Sequence, residues 1–231
     1  MISIHQSQFL PWIPYFYKIL KSDIFIIMDD VQYQKNGVQN RNKIKTPTGE
    51  LWLTVPVEVK SNTLINEAGI KHSDLIKILK TIKMNYGKSR YFDQIYPGIE
   101  NIITDKPFVK LNDLNIELLN FILKLLGSKT KIKFSSEFAL KSTKDDLVLD
   151  LILANNEKEY ITGSGGLNYM DLNKFIKSEV TLYEYSFTYA EYNQLWPKVG
   201  FVQHLSIIDL LFNEFESAHN YIISNGSIKL I

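Results

Sequence analysis

Two rhythms of apolar and polar positions run along this chain. Ile2 to His5 reads as a short strand, and Ile24-Phe25-Ile26-Ile27-Met28 is a continuous apolar run of strand length, the pattern of a strand buried on both faces of a parallel sheet. Between them Pro11 and Pro14 break the chain ahead of a helical stretch over Tyr15 to Lys21. Asn36-Gly37 marks a turn, and Pro47-Thr48-Gly49-Glu50 reads as a hairpin connection between Asn42-Lys43-Ile44-Lys45 and Leu51 to Val57. A second extended piece lies near Gly69-Ile70-Lys71. Leu75, Ile76, Ile78, Leu79 and Ile82 then fall at helical spacing after Ser73 or Asp74 as N-cap, and Asn112 to Leu126 forms another amphipathic helix stopped by Gly127.

From there strand and helix alternate. Lys131 to Ser135, Glu159 to Thr162 and Val180 to Phe187 read as strands, with helices over Thr143 to Ala154 and Asp171 to Lys177 between them. Leu205 to Phe212 reads as a last apolar helix, and Gly226 begins a short tail. The pattern predicts an α/β fold: a mostly parallel sheet flanked by helices, Rossmann-like or nucleotidyltransferase-like, with an antiparallel hairpin insertion. Residues 1–231 are expected to form a single domain, with 36–72 as the insertion and 73–128 as a helical segment.

Composition narrows the function classes. A chain of 231 residues, 45% apolar and 22% charged, is long enough to bury a sizeable core and is not disordered or collagen-like. A formal charge of +1 gives no summed field toward nucleic acid, so no duplex partner is expected. Without cysteine there is no disulfide, thiolate metal site or cysteine nucleophile. No apolar stretch approaches the ~20 residues of a membrane span, and the N-terminus lacks a basic leader, so a cytoplasmic protein without membrane insertion is expected.

Four polar constellations could carry chemistry. His5-Gln6-Ser7-Gln8 follows the first strand, the favoured address for a phosphate or nucleotide in open α/β sheets; a structural histidine satisfied by backbone is the competing reading. Asp29-Asp30-Val31-Gln32-Tyr33 ends the second buried strand, as an acid/base pair or as an ordinary acidic turn. Gln39-Asn40-Arg41-Asn42-Lys43 reads as an anion clamp or a solvated basic turn. Thr162-Gly163-Ser164-Gly165-Gly166, between strand and helix, lets backbone approach a ligand but matches neither the P-loop nor the dinucleotide fingerprint. Asp209 and Asn213, one turn apart on the last apolar helix, read as hydrogen-bonders that hold the site loops.

These segments carry a resemblance. Ile4-His5-Gln6-Ser7-Gln8-Phe9-Leu10-Pro11-Trp12, Tyr15-Phe16-Tyr17-Lys18-Ile19, Asp29 to Tyr33, Gln39 to Ile44, Trp52 to Val57, Ser164-Gly165-Gly166 with Tyr169 and Asp171, and Leu205 to Asn213 together resemble the WbqC-like protein family over nearly the full chain. The chain departs from that pattern at Ser7, usually proline, at Pro14, usually glycine, and at Leu167, often arginine. The first 30 residues or so also resemble, more weakly, the start of nucleotidyltransferase folds.

The resemblance implies a bacterial protein of O-antigen or other surface polysaccharide assembly, placing an aminoacyl group such as glycyl on a nucleotide-linked deoxyamino sugar. His5, Asp29 and Asp30 are then the catalytic candidates. Gln6, Gln8, Gln32, Tyr33, Asn40, Arg41, Lys43, Lys83, Ser164, Gly165, Gly166 and Tyr169 are the candidates for substrate binding; no dedicated metal site is assigned, and Asp29 or Asp30 serves as base, as the group that orients His5, or as a magnesium ligand. Expected partners are the nucleotide-linked amino sugar, an acyl donor and other polysaccharide biosynthesis enzymes. ATP with Mg²⁺ is required only if acyl activation occurs in this protein. The alternatives are an ATP-dependent nucleotidyl-transferring or ligase enzyme of the same pathway, and a non-catalytic sugar-nucleotide-binding or scaffold protein.

Overall fold

A computed structural model describes residues 1–168 and 170–231. Strand β1 (Ile2–Gln6) leads through helix α1 (Ile13–Leu20) to β2 (Ile24–Met28), which lies parallel beside it from Ile2↔Ile24 to Gln6↔Met28. Pro14 does not break the chain but sits in the first turn of α1, where the missing amide would have had no partner.

A long excursion follows β2. The hairpin β3 (Arg41–Thr46) and β4 (Gly49–Thr54) forms its own two-stranded sheet, and β5 (Val57–Glu58) pairs with β6 (Gly69–Ile70) in another. Three helices come next: α2 (His72–Tyr86), α3 (Phe92–Asp105) and α4 (Leu111–Leu125). The first starts ahead of the expected caps, with Lys71 in the N-cap position. The second lies inside the helical segment expected over 73–128 but has no counterpart of its own in the sequence reading. Pro97 lies inside it, and buried Phe92, Ile95, Tyr96, Ile99 and Ile103 supply the packing that outweighs the proline.

The chain then returns to the main sheet. It proceeds through β7 (Lys131–Phe134), α5 (Lys144–Ala154), β8 (Glu159–Thr162), the short α6 (Ser164–Leu167), α7 (Leu172–Lys177) and β9 (Thr181–Phe187). Helix α8 (Ile207–Ser224) continues well past the predicted Phe212, with a kink at Glu214, and β10 (Gly226–Leu230) closes the chain. The expected tail is thus a strand, antiparallel to β9. Gly226 makes that pairing possible, because a Cβ there would lie 2.1 Å from the buried Tyr17 ring.

The six strands run in the order β10-β9-β8-β1-β2-β7, parallel except for β10. Both faces are covered. Ile2, Ile4 and Ile26 pack with Leu151 and Ile152 of α5 and Phe175 of α7 on one side. Phe25 and Ile27 pack with Phe16, Tyr17 and Ile19 of α1 and with α8 on the other. Period-two alternation between two apolar layers explains why β2 reads as an unbroken apolar run. The architecture is the α/β fold with a mostly parallel sheet that the sequence predicts. Among the described residues no helix is long and apolar enough to cross a membrane.

Candidate active site

The chain builds outward from β1 to β2 and β7, then crosses back to place β8 on the other side of β1. Strand order reverses there, and in open parallel sheets the loops leave such a point in opposite directions and open a crevice. The registers show the crevice directly. β1 pairs with β8 only at Ile2↔Tyr160 and Ser3↔Ile161, whereas its pairing with β2 continues to Gln6. Beyond Ser3 the two strands part, and a cavity of 1040 Å³ occupies the space. It is lined by Ile4, His5 and Gln6 of β1, Pro14 and Lys18 of α1, and Thr162 to Gly166 after β8.

Two of the basic side chains that line this cavity, Lys18 and His5, stand at β1. Lys18 sits one turn after Pro14 on α1, is 3% exposed, and donates from Nζ to the Ile4 carbonyl oxygen at 2.9 Å. That carbonyl belongs to the residue just past the last β1–β8 pair, so the amine stands where the strands separate. Burial pushes its pKa down to about 7. His5 lies edge-on to Tyr15, with ring centroids 5.1 Å apart. Its Nδ1 is 3.3 Å from both the Gln6 carbonyl oxygen and Gln8 Nε2. Burial, with the Lys18 charge as the second cause, pushes the imidazole down to about 3. At neutral pH His5 is therefore an uncharged hydrogen-bonding group and a poor proton acceptor.

The opposite wall is aromatic. Trp12, Tyr185, Phe187, Tyr189 and His204 line it, with His204 4.7 Å from Tyr189 and 5.8 Å from Trp12 between ring centroids. The Tyr189 hydroxyl is buried and has no hydrogen-bond partner among the described residues. His204 is held at φ 59°, a left-handed conformation that a side chain disfavours. Both residues sit on the segment 188–206, which has little regular structure and is fixed by the fully buried Asp209 of α8. Tyr86 Oη donates to Asp209 Oδ1 at 2.8 Å, and Tyr192 Oη and Gln194 Nε2 donate to Oδ2 at 2.7 and 2.8 Å. Gln194 also brackets Val202, and Lys45 Nζ donates to the Gly200 carbonyl at 2.6 Å. Asn213 Oδ1 accepts from the Leu195 amide at 3.2 Å.

The segments that build this cavity lie within one family pattern: the model of the WbqC-like protein family matches residues 6–221. The chain belongs to the WbqC-like protein family. It is also similar to a protein of Mycobacterium tuberculosis, described only as uncharacterized, at 35% identity over 226 residues, 96% of each chain.

The WbqC-like fold gathers some of the expected site residues and disperses others. His5, Gln6, Ser164, Gly165 and Gly166 line the cavity, and Gln8 stands behind His5. The Gly166 amide, expected to face a ligand, is spent on the Gly163 carbonyl at 2.9 Å. Asp29 uses both carboxylate oxygens on Ser135 and Ser136, and Asp30 is hydrogen-bonded to Ser135 Oγ. Neither lines the cavity; the pair ties the end of β2 to the turn after β7.

Arg41, Lys43 and Asn40 sit on the hairpin instead. The Arg41 guanidinium stacks 4.4 Å over Trp52 and donates to the Asn36 carbonyl, Lys43 pairs with Glu50, and Asn40 Nδ2 donates to the Val55 carbonyl. Gln32 bonds Asn62, the Tyr33 amide bonds the Thr63 carbonyl, and Lys83 projects from α2 beside Tyr96. Tyr169 lies outside the described residues. The sequence reading missed Lys18, Trp12, Tyr189 and His204. For Lys18 a signal existed: it is the one charge in the otherwise apolar and aromatic run Ile13 to Leu20, and a lysine is seldom fully buried unless paired.

Proposed function

We propose that this protein is a transferase that forms an amide, placing an aminoacyl group such as glycyl on the amino group of a nucleotide-linked deoxyamino sugar in O-antigen or surface polysaccharide assembly. The observation that carries this reading is the cavity at the strand-order reversal, which combines a buried amine, an uncharged imidazole and an aromatic wall in 1040 Å³. Each feature has a counterpart in such a substrate. The strand ends at the reversal are where a parallel sheet receives a nucleotide, and aromatic rings suit a base or sugar face. The neutral imidazole suits the acyl carbonyl oxygen, which gains charge as the amine attacks. The volume sits at the upper end of ordinary ligand pockets, about 300–1,000 Å³, which leaves room for an acyl donor beside the sugar. Membership of the WbqC-like family supports the pathway assignment.

Asp29 has both carboxylate oxygens engaged by Ser135 and Ser136, Asp30 Oδ1 is engaged by Ser135, and neither residue lines the cavity, so the pair is not offered as a magnesium site and no step here runs through a metal. The test incubates the protein with an amino sugar nucleotide and glycine plus ATP, a glycyl thioester, or a glycyl carrier, and looks for the acylated sugar by mass spectrometry. Product with one donor supports the reading. Pyrophosphate release without a sugar requirement would mark a nucleotidyl-transferring enzyme instead, and tight binding with unaltered ligand in all three mixtures would mark a binding protein.

A further inference from the structure

We propose that Lys18, rather than His5 or the Asp29–Asp30 pair, is the proton-transferring base of this cavity. The inference rests on the amide-forming reading above and assigns the step that reading leaves open.

Placement is the first argument. Lys18 reaches from α1 into the gap where β1 and β8 separate, and its Nζ is fixed by the Ile4 carbonyl. The position lies at the mouth of the first βα connection, in the same cavity as His5, Thr162 and Gly165. Environment is the second. A lysine buried to this degree ordinarily has a carboxylate to neutralise it, yet among the described residues Lys18 forms no ion pair, and burial is the sole cause of its lowered basicity. The cavity's carboxylates do not supply one. Asp145 is engaged by Lys174 at 3.2 Å and by the Asp171 amide at 3.3 Å, and Glu184 lies on β9.

Asp145 and Glu184 apart, the groups around Lys18 whose titration burial shifts are held in their uncharged forms. Tyr15 on its own helix, Tyr160 on β8, and Tyr185 and Tyr189 on the far wall are all pushed up by burial, and His5 is pushed down. Lys144 on α5 and His204 on the loop complete the set that lines the cavity. An amine held this way exchanges its proton near neutral pH, where the amino group of a sugar arrives as an ammonium.

The chemistry balances. The Lys18 lone pair takes one proton from the substrate ammonium. The freed amine attacks the acyl carbonyl and forms the C–N bond. The protonated Lys18 then gives its proton to the leaving group, a thiolate or a phosphate, as the carbon–leaving-group bond breaks. The second proton on nitrogen departs to solvent. Lysine ends neutral, and ammonium plus activated acyl group have become amide, protonated leaving group and one free proton.

Two measurements test this. In the first, the protein carries ¹³C at lysine Cε, and the resonance absent from Lys18→Met is titrated by NMR. A midpoint near 7 supports the proposal, and a midpoint in the surface-lysine range overturns it. In the second, wild type, Lys18→Met and Lys18→Ala are compared for amide formation and for sugar-nucleotide binding. The proposal expects both variants to bind the sugar nucleotide but to lose about a hundredfold or more in kcat, with added ethylamine restoring part of the loss in Lys18→Ala. Undiminished turnover in a folded Lys18→Met overturns it, as does a loss confined to binding, which would make Lys18 a phosphate contact. If wild type yields no amide with any donor, the transfer reading fails by itself, and the claim for Lys18 as the cavity's proton acceptor is decided by the titration.

Discussion

Tyr86 Oη donates to Asp209 Oδ1 at 2.8 Å, joining α2 to α8 across 123 positions of sequence. The bond is one of three that converge on this buried carboxylate, and the other two come from the segment that carries Tyr189 and His204 to the cavity. Asp209 is therefore absent from the cavity lining yet fixes one wall of the site.

Removing that hub should be costly. Asp209→Ala strands two tyrosine hydroxyls and an amide, and the expected loss is about 3–5 kcal/mol by urea denaturation. Limited proteolysis should then cut first within 188–206. Asp209→Asn separates charge from shape. Burial pushes the native carboxyl above its ordinary range, so the folded state holds that proton more tightly than the unfolded chain. The stability of wild type should accordingly fall, relative to Asp209→Asn, as pH rises from the ordinary carboxylate range through the raised native value.

His5 predicts the opposite slope. Its native pKa of about 3 lies below the ordinary 6.5, so the unfolded chain binds the proton between these values. Stability attributable to His5 is complete above pH 6.5 and is lost as pH falls toward 3, by about 1.4 kcal/mol per unit. His5→Gln should remove this slope in thermal melts taken from pH 4 to pH 7. Lys18 acts in the same sense at higher pH, between about 7 and 10.5, and Lys18→Met should flatten that range.

Two glycines should behave in contrasting ways. A Cβ at Gly226 meets the Tyr17 ring at 2.1 Å, so Gly226→Ala is expected to lower stability by about 1–3 kcal/mol through overpacking. Gly165 lines the cavity, and a Cβ there meets nothing within 4 Å. Gly165→Leu should leave stability within about 0.5 kcal/mol while filling part of the space a ligand needs.

Much of the sheet was legible because its strands must show apolar side chains to two helical layers; the runs at Ile24 to Met28 and Glu159 to Thr162 state that requirement locally. Helix α3 was not legible as an element of its own, since Tyr96-Pro97-Gly98 has the local preferences of a turn and packing against α2, α4 and α8 overrules them. The strand after Gly226 was hidden for a similar reason: its partner β9 lies some 40 residues earlier, and nothing nearby announces it.

The site divided along the same line. The loops after β1 and β8 were expected at the cavity because strand ends in such sheets converge there, and His5 and Gly165 both reach it. Arg41 and Lys43 carried the right charge, but the hairpin commits them to Trp52, Asn36 and Glu50. Tyr189 and His204 come from a segment without periodicity, whose position depends on the distant Asp209.

The hairpin cations provide a control. With its guanidinium stacked on Trp52 outside the cavity lining, Arg41→Ala should change sugar-nucleotide affinity by less than about threefold, an effect within ordinary surface substitutions of ~0.5 kcal/mol.

The central claim is that ligand enters the gap between β1 and β8. Calorimetric titration of an amino sugar nucleotide into wild type, Gly165→Leu and Arg41→Ala tests it most directly. The account predicts binding by wild type and Arg41→Ala and its loss, by about tenfold or more, in Gly165→Leu. Full affinity in Gly165→Leu with loss in Arg41→Ala would place the ligand on the hairpin and contradict the account.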